Sequence, residues 1–351
     1  LSPDSGTFKN NARLLNQVAI AIMQKNQQIS ALNQQAKEGT AKLSEKETHC
    51  NQLVEQKTKA EEQNSALRSE LEKQKQALAE AREQLAIKEQ DFLLDNVEKK
   101  RVLAKQLLNC LASPDPILRD NIAFTGLSQW LRANDFDAEF YQQMYTSLLN
   151  VIEAEVKDEN AVYQPFAMLM LAEVARVDRK SPFFTDNQRN HLVNVGSEFL
   201  QSIDDYRGYD STIGWRHSVA HTADLMLQLS LNPAIKKPHL DQMLKAISTQ
   251  IVAKNNHSYI FGEAKRLAMP VIYIFLNDVL TIEEWQVWLS NITSATPLET
   301  WGEAYSSQQG LSKLHNTQSF LFAFYALIKN SKNERLSNMV PALEQAIKKV
   351  N

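Results

Sequence analysis

Apolar residues in the first quarter of the chain recur every seven positions. With Leu15 as the first a position, only two of the twelve positions in the series break the apolar pattern. The series reads Leu15, Ile22, Ile29, Ala36, Leu43, Cys50, Lys57, Asn64, Leu71, Leu78, Leu85 and Phe92. A sustained 3.5-residue repeat is typical of a left-handed coiled coil. We therefore predict a coiled-coil segment over residues 1–94.

The polar residues around this repeat favour a parallel homodimer. Asn64 occupies an a position, where it can pair with its own copy across the dimer axis. Glu47 lies opposite Lys42 at flanking positions of a parallel pair, and their charges attract. Against this, Gly39 costs about 1 kcal/mol in a helix interior. An intrachain antiparallel hairpin that turns near Gly39 is the alternative.

Residues 95–351 show apolar spacing of three and four, which indicates helices throughout. Pro116 after Asp115 marks a helix start, and Thr281 with Glu284 forms a capping box. Further helices are predicted over 136–155, 163–177, 186–203, 319–329 and 334–350. Strand alternation is absent. Many short helices joined by short turns predict an all-α fold, an irregular HEAT-like helical-repeat domain, or α/α superhelix.

Composition narrows the class of protein without fixing its activity. The 351 residues carry a net charge of -3 and are 43% hydrophobic and 23% charged, as in ordinary soluble proteins. Bulk charge gives no indication of nucleic-acid binding. The longest apolar run, residues 267–276, is shorter than the roughly 20 residues of a membrane helix. We therefore expect a soluble protein with no membrane span.

The first residue, Leu1, leaves the compartment open. If a signal peptide preceded it, the protein is periplasmic or secreted, and otherwise it is cytoplasmic. Cys50 and Cys110 are too far apart on the predicted helix to form a disulfide, so the cysteines do not decide between the two.

The densest chemistry lies in residues 206–224, YRGYDSTIGWRHSVAHTAD. His217, His221 and Asp224 are spaced i, i+4 and i+7, which places them on one face of a helix. Two histidines one turn apart are good metal ligands, and Asp224 could supply a third. Ser218 stands where zinc proteases have a glutamate. A buried polar network without metal is the competing interpretation.

The same stretch predicts a pocket. Two glycines bracket a loop, and Arg207, Tyr209 and Trp215 are expected to form the rim of a pocket whose floor is His217 and His221. Trp215 could instead plug the junction between two helices.

The motif DYRGY followed by GWRHSVAHTADL resembles that of a bacterial family of helical domains of unknown function. The resemblance covers about residues 95–350 and extends to SPDPILRDNIAFTGLSQWL, FGEAKRLA and HNTQSFLFAFYAL. It implies that polar residues of several helices converge on the concave side of the domain. These residues are Arg119, Asp120, Arg207, His217, His221, Asp224, Glu263, Arg266 and Asn316. The chain departs from the pattern at Gln164 and Pro165, where an Arg-Ser-Phe-like stretch is expected.

Two functions fit these patterns. The first is a binding or scaffold protein, with a coiled-coil dimerisation segment and a helical domain that binds a peptide or small molecule. The alternative is a metal-assisted hydrolase that uses His217 and His221 with a divalent metal.

Overall fold

The computed structural model describes residues 5–154, 158–277 and 280–351, without the side chains of residues 5–9, 11, 12 and 77–85. The chain divides into two compact units, Leu1–Arg82 and Glu83–Asn351. Helices make up nearly all of the regular structure, so the predicted all-α class is confirmed.

The first helix, α1, runs without a break from Ser5 to Glu89. It passes straight through Gly39, so the turn that an intrachain hairpin needs is not formed and that alternative is wrong. The described leucine, isoleucine and valine side chains at a and d positions are 50 to 70% exposed. They are Leu15, Val18, Ile22, Ile29, Leu32, Leu43, Leu53, Leu67 and Leu71. Leu78 and Leu85 lie outside the described side chains, and the pairing of α1 with a second copy stays a prediction.

The last position of the heptad series, Phe92, lies beyond the carboxyl end of α1. Phe92 lies past Glu89, has a left-handed backbone with φ of 59°, and is buried in the second unit. Its ring meets the ring of Trp130 edge to face at 6.4 Å, and the Trp130 indole N–H donates to the Phe92 carbonyl at 2.9 Å. Phe92 is therefore a core residue of the helical domain and not a coiled-coil position.

The described part of the second unit contains eleven α-helices, a π-helix, a 3₁₀ helix and one two-stranded hairpin. They are α2 (Val97–Cys110), the π-helix (Ile117–Phe124), α3 (Thr125–Ala133), α4 (Ala138–Glu153), α5 (Tyr163–Lys180), α6 (Asp186–Ser202), β1 (Tyr209–Asp210), β2 (Gly214–Trp215), α7 (Ser218–Ser230), α8 (Lys237–Ile251), α9 (Glu263–Leu276), α10 (Ile282–Ile292), the 3₁₀ helix (Trp301–Ser306), α11 (Gln308–Ile328) and α12 (Glu334–Val350).

Helix ends follow the capping chemistry of the sequence. Thr281 and Glu284 form the predicted capping box at the start of α10, and Thr185 forms another with Gln188 at α6. The last helix has the predicted bounds of 334–350. Helix α11 begins at Gln308 and not at the predicted Ser319, because Ser307 caps the helix by accepting from the Gly310 N–H at 3.0 Å.

Alternate helices of the second unit form a continuous row, in which α5 packs on α3 and α7, and α9 packs on α7 and α11. Helix α4 packs on α5, α6 on α8, and α12 on α11. One cluster of buried apolar side chains extends through these contacts, and it holds the row rigid behind the loops that carry the motif. The HEAT-like relationship stays a prediction.

No helix in the described ranges combines the length and the apolar character needed to cross a bilayer.

Candidate functional site

A short hairpin lies at the centre of the motif. Its strands β1 and β2 pair antiparallel, with Tyr209 opposite Trp215. The Asp210 carboxylate closes the turn by accepting from the backbone N–H groups of Thr212 at 2.8 Å and Ile213 at 2.7 Å. The sequence pattern predicted a loop here, because two-residue strands are too short to show alternation.

The packing of the hairpin requires glycine at both Gly208 and Gly214. Gly214 has a φ of 74°, a left-handed conformation that glycine adopts without strain, and a Cβ there would lie 2.8 Å from Pro116. At Gly208 a Cβ would lie 2.1 Å from the Phe261 ring. The hairpin therefore packs directly on Pro116 and on Phe261.

Arg119 holds the hairpin in place through a hydrogen bond to its turn. Its side chain is fully buried, and its guanidinium donates to the carbonyls of Ile213 at 2.7 Å and Ser113 at 2.9 Å and to the Asp120 carboxylate at 2.7 Å. The same guanidinium lies 4.6 Å from the centre of the Phe166 ring. Arg119 belongs to the π-helix, a distortion that often occurs at functional sites. It is an anchor of the site and not a surface that a ligand can reach.

The two histidines occupy different backbone environments. Helix α7 begins at Ser218, so the prediction that His217 lies in one helix with His221 and Asp224 was wrong. His217 precedes the helix with a left-handed φ of 59°, and His221 lies one turn inside it. The Trp215 ring stacks on the His217 ring at 4.5 Å, and the two imidazole centres are 5.8 Å apart. The indole therefore covers one face of the His217 ring.

Each histidine carries one buried nitrogen that makes no hydrogen bond to a described residue, Nε2 of His217 and Nδ1 of His221. Nε2 of His217 lies 3.8 Å from Oε1 of Glu263, beyond hydrogen-bond distance. Glu263 is itself buried, and its Oε2 accepts from the Phe261 N–H at 2.9 Å. The structure thus brings His217, His221 and Glu263 into one buried polar cluster.

Burial shifts the pKa of all three groups in this cluster toward their uncharged forms. It lowers the pKa of His217 to about 4, assisted by the charge of Arg266 and opposed by a hydrogen bond with the Phe261 backbone. Burial also lowers the pKa of His221 well below its ordinary value, with smaller contributions from His217 and Arg266. The pKa of Glu263 is raised by burial. Near neutral pH both imidazoles are therefore uncharged.

Asp224 is engaged away from the histidine pair. Arg266 donates to its carboxylate, and both residues line a hollow of about 470 Å³ beside α5 that also holds the Arg132–Glu173 ion pair. Burial raises the pKa of Asp224, against the lowering effect of Arg266. Within the described ranges, no group of three His, Cys, Asp or Glu side chains could hold a metal ion. The three predicted ligands are therefore not arranged as a metal site.

Two of the three predicted rim residues line a groove, and this groove does not contain the histidine pair. This motif groove is a hollow of about 850 Å³ formed by residues 204–210 and 255–258 together with Arg216, Phe261 and Gln308. It includes Arg207 and Tyr209 from the predicted rim. The stacked pair of Tyr206 and His257, at 5.1 Å, lines this groove, and His217 and His221 do not.

Asn316 holds the far wall of the motif groove in place. It is fully buried, accepts from the Tyr259 N–H at 2.9 Å and donates to the His257 carbonyl at 2.8 Å. On the near wall, Arg207 donates to the Asp205 carboxylate at 2.9 Å. Asn316 thus supports the site, as Arg119 does, from outside it.

Sequence reasoning missed half of the motif groove. Arg216 and Phe261 were inside quoted motifs without being selected, and Asn255, Asn256 and Gln308 were not considered. Asn255 and Asn256 both have positive φ, and consecutive asparagines outside a helical pattern are the signal that could have marked this turn.

The fold and the site together define an all-α domain with a polar groove beside a short hairpin. The chain belongs to the family described as Protein of unknown function (DUF2785), whose model matches residues 148–326, just over half of the chain. This confirms the resemblance to a family of unknown function. The matched range includes the hairpin, both histidines, Glu263, Arg266 and Asn316, but not Arg119. No curated protein and no solved structure matches the chain.

Proposed function

We propose that this protein is a homodimeric binding protein. Helix α1 joins two copies, and each copy holds a polar small molecule or a peptide segment in the motif groove. The groove carries the proposal: its volume of about 850 Å³ lies within the roughly 300–1,000 Å³ of typical ligand sites. Its walls are the hairpin that the family motif encodes and the turn at residues 255–258.

The groove is held open by structure on both sides. Arg119 ties the hairpin to the π-helix, and Asn316 ties residues 257–259 to α11. Buried polar groups that are fully hydrogen-bonded in this way rigidify a site. A rigid groove loses less conformational entropy when a ligand binds, which favours affinity.

The dimer rests on the exposed seam of α1, by which we mean its apolar a and d positions. Burying one such side chain contributes about 1.5–3 kcal/mol, and a second copy presents the same stripe at the same spacing. In a parallel pair Lys42 lies opposite Glu47 of the other copy and Glu70 opposite Lys75. The occupant of the seam is therefore a second copy of this chain.

Sedimentation equilibrium of the full chain tests the dimer. We expect about twice the 39.9 kDa chain mass for the parent. A double variant, Ile22→Lys with Ile29→Lys, should be monomeric because both changes place charge in the seam. The matched control is Ile20→Lys with Met23→Lys, two exposed apolar residues outside the a and d series, which should stay dimeric. A monomeric parent chain would contradict the proposal.

Cys50 reports the orientation of the pair. It is a free, exposed thiol at an a position, so a parallel in-register dimer places the two copies of Cys50 face to face. Mild oxidation of a Cys110→Ala variant should give a covalent dimer on a non-reducing gel. Cys50→Ala should give none. A dimer that sediments as such but does not crosslink through Cys50 would refute the parallel register.

The binding function is tested by thermal shift with a fixed set of probes: lysine, arginine, glutamate, glucose, tri-alanine and inorganic phosphate. A ligand that binds the folded state raises Tm by mass action. At least one probe should stabilise the parent and the control Gln143→Trp, an exposed position on α4. The same probe should fail with Gln308→Trp, which fills the motif groove. The absence of any groove-dependent shift would count against the proposal.

A further inference from the structure

Three aromatic rings meet at one end of the motif groove. The Trp215 ring lies 5.2 Å from the Tyr209 ring at an interplanar angle of 63°, and 5.7 Å from the Phe261 ring at 89°. Tyr209 and Phe261 line the groove, and Trp215 adjoins them. We refer to these three residues as the aromatic corner.

The aromatic corner is exposed where most comparable rings are buried. Tyr209 is 56% exposed and Trp215 is 37% exposed, whereas Trp130, Trp285 and Trp288 lie in the core. One face of the Trp215 ring is covered by His217. Exposed aromatic rings set at steep angles beside a polar hollow leave apolar, electron-rich surface in water, and such surface marks recognition sites.

Carboxylates line the same groove as Tyr209 and Phe261. Asp204, Asp205 and Asp210 line the motif groove, and Arg207 pairs with Asp205. Hydrogen bonds from the backbone of Ile213 and Thr212 lower the pKa of Asp210, which keeps this carboxylate charged at neutral pH. The other basic group of the groove, Arg216, is largely buried and donates to the Asn160 carbonyl. Three carboxylates and two guanidinium groups therefore line the groove, and its net charge is negative.

Ring faces and carboxylates attract the same kind of group. The face of an aromatic ring carries negative potential, so a cation is attracted to it, most strongly by tryptophan, and several rings can enclose an ammonium group. Glutamate or phosphate would meet repulsion from the same aspartates. Resting on the proposed binding function, we propose that the aromatic corner binds an ammonium or guanidinium group, and that the ligand of the motif groove is a cation.

Two sources could supply this cation, a free amine or a lysine or arginine side chain in a peptide. Isothermal titration of the full chain separates them, with Nα-acetyl-Nε-trimethyllysine amide as the free probe and acetyl-Gly-Gly-trimethyllysine-Gly-Gly amide, which has no charged terminus, as the peptide probe. Each probe has an uncharged isostere in which carbon replaces the quaternary nitrogen. Shape and apolar area are then matched, and only the charge differs.

The charged probes should bind about 5- to 30-fold more tightly than their isosteres, the range that corresponds to a cation–π contribution of about 1–2 kcal/mol. Tyr209→Ala should remove most of this preference, and Tyr209→Phe should retain it. Phe322→Ala, which truncates an exposed aromatic residue on α11, is the control and should change nothing. Asp204→Asn should weaken the charged probes and leave the isosteres unaffected. Tighter binding of the peptide than of the free probe would assign the cation to a protein segment.

Equal binding of charged and uncharged probes would overturn the cation proposal. So would a charge preference that survives Tyr209→Ala. The result is distinguishable from failure of the binding function: if glucose, glutamate or phosphate shifts Tm in a manner that Gln308→Trp abolishes, the groove binds a ligand and only its cationic character is wrong. If neither the cationic probes nor the thermal-shift probes bind, both proposals fail.

Discussion

Nε2 of His217 lies 3.8 Å from Oε1 of Glu263, and the His217 ring stacks on the Trp215 ring. Burial lowers the pKa of His217, and a hydrogen bond with the Phe261 backbone opposes that shift. The raised pKa of Glu263 and the lowered pKa of His217 are two expressions of the same burial.

This relationship predicts acid sensitivity. The pKa of His217 is about 4 in the folded chain, below its ordinary value of 6.5, so between these pH values the unfolded chain binds more protons. Stability therefore rises with pH across that window and is lost as pH falls from 6.5 to 4, by at most about 3 kcal/mol for this residue. Urea unfolding of the parent at closely spaced pH values measures the slope.

His217→Asn isolates the contribution of that residue, because asparagine does not titrate and tolerates the left-handed backbone at this position. The variant should show a shallower fall in unfolding free energy between pH 6.5 and 4 than the parent does. His221, whose pKa is lowered in the same direction, should keep part of the slope. Parallel pH profiles for parent and variant would exclude His217 as a source of the sensitivity.

The second prediction concerns the role of Trp215. Because Trp215 is 37% exposed, Trp215→Ala should cost about 1–2 kcal/mol, less than the truncation of a fully buried tryptophan. Trp130 is 2% exposed and its indole donates to the Phe92 carbonyl, so Trp130→Ala should cost about 3–5 kcal/mol. Chemical denaturation of both variants measures the contrast. Equal losses would mean that Trp215 plugs the helix junction, as the competing interpretation of the sequence held.

Two glycines give opposite expectations for one substitution. Gly214→Ala places a Cβ 2.8 Å from Pro116 on a backbone with φ of 74°, so it should destabilise the second unit by about 1–3 kcal/mol. Gly39→Ala meets nothing within 4 Å in the middle of α1 and should stabilise that helix by up to about 1 kcal/mol. Thermal unfolding followed by circular dichroism measures both. A gain at Gly214 would show that the hairpin is not packed on Pro116.

Periodicity predicted the helices well because it reports burial directly. Helices α5, α6 and α12 begin at the predicted residues 163, 186 and 334, where capping side chains or a change of period mark the start. Periodicity did not predict the hairpin, because strands of two residues are too short to show a period. His217 was placed inside α7, since nothing in the sequence shows that the peptide before Ser218 turns left-handed.

The site was harder to predict than the fold because its parts come from distant segments. Spacing placed His217 near His221, and the family resemblance added Glu263, which the structure brings to the same cluster. Asn316 and Arg119 came from the same resemblance and act as supports for loops rather than as lining residues. The turn at residues 255–258 meets the hairpin only through tertiary packing, so no local pattern could assign both to one groove.

The last prediction concerns Arg119, whose guanidinium makes three hydrogen bonds without any exposure to solvent. Arg119→Lys keeps the charge but cannot reproduce the planar fork that reaches Asp120, Ser113 and Ile213 together. Leaving those partners incompletely bonded should cost about 2–4 kcal/mol. The control is Arg132→Lys. The Arg132 side chain, which pairs with Glu173, is 53% exposed, so this substitution should change stability by less than about 1 kcal/mol.

Hydrogen exchange should locate the damage that Arg119→Lys causes. The amides of Arg216 and His217 donate to the Gly208 carbonyl at 3.0 Å and the Arg207 carbonyl at 3.3 Å, and they close the base of the hairpin. Once the Ile213 carbonyl loses its anchor, these two amides should exchange faster than amides in the middle of α11. Uniform acceleration across the second unit would mean that Arg119 stabilises the core in general. Local acceleration at the hairpin would establish that it acts by positioning the near wall of the motif groove.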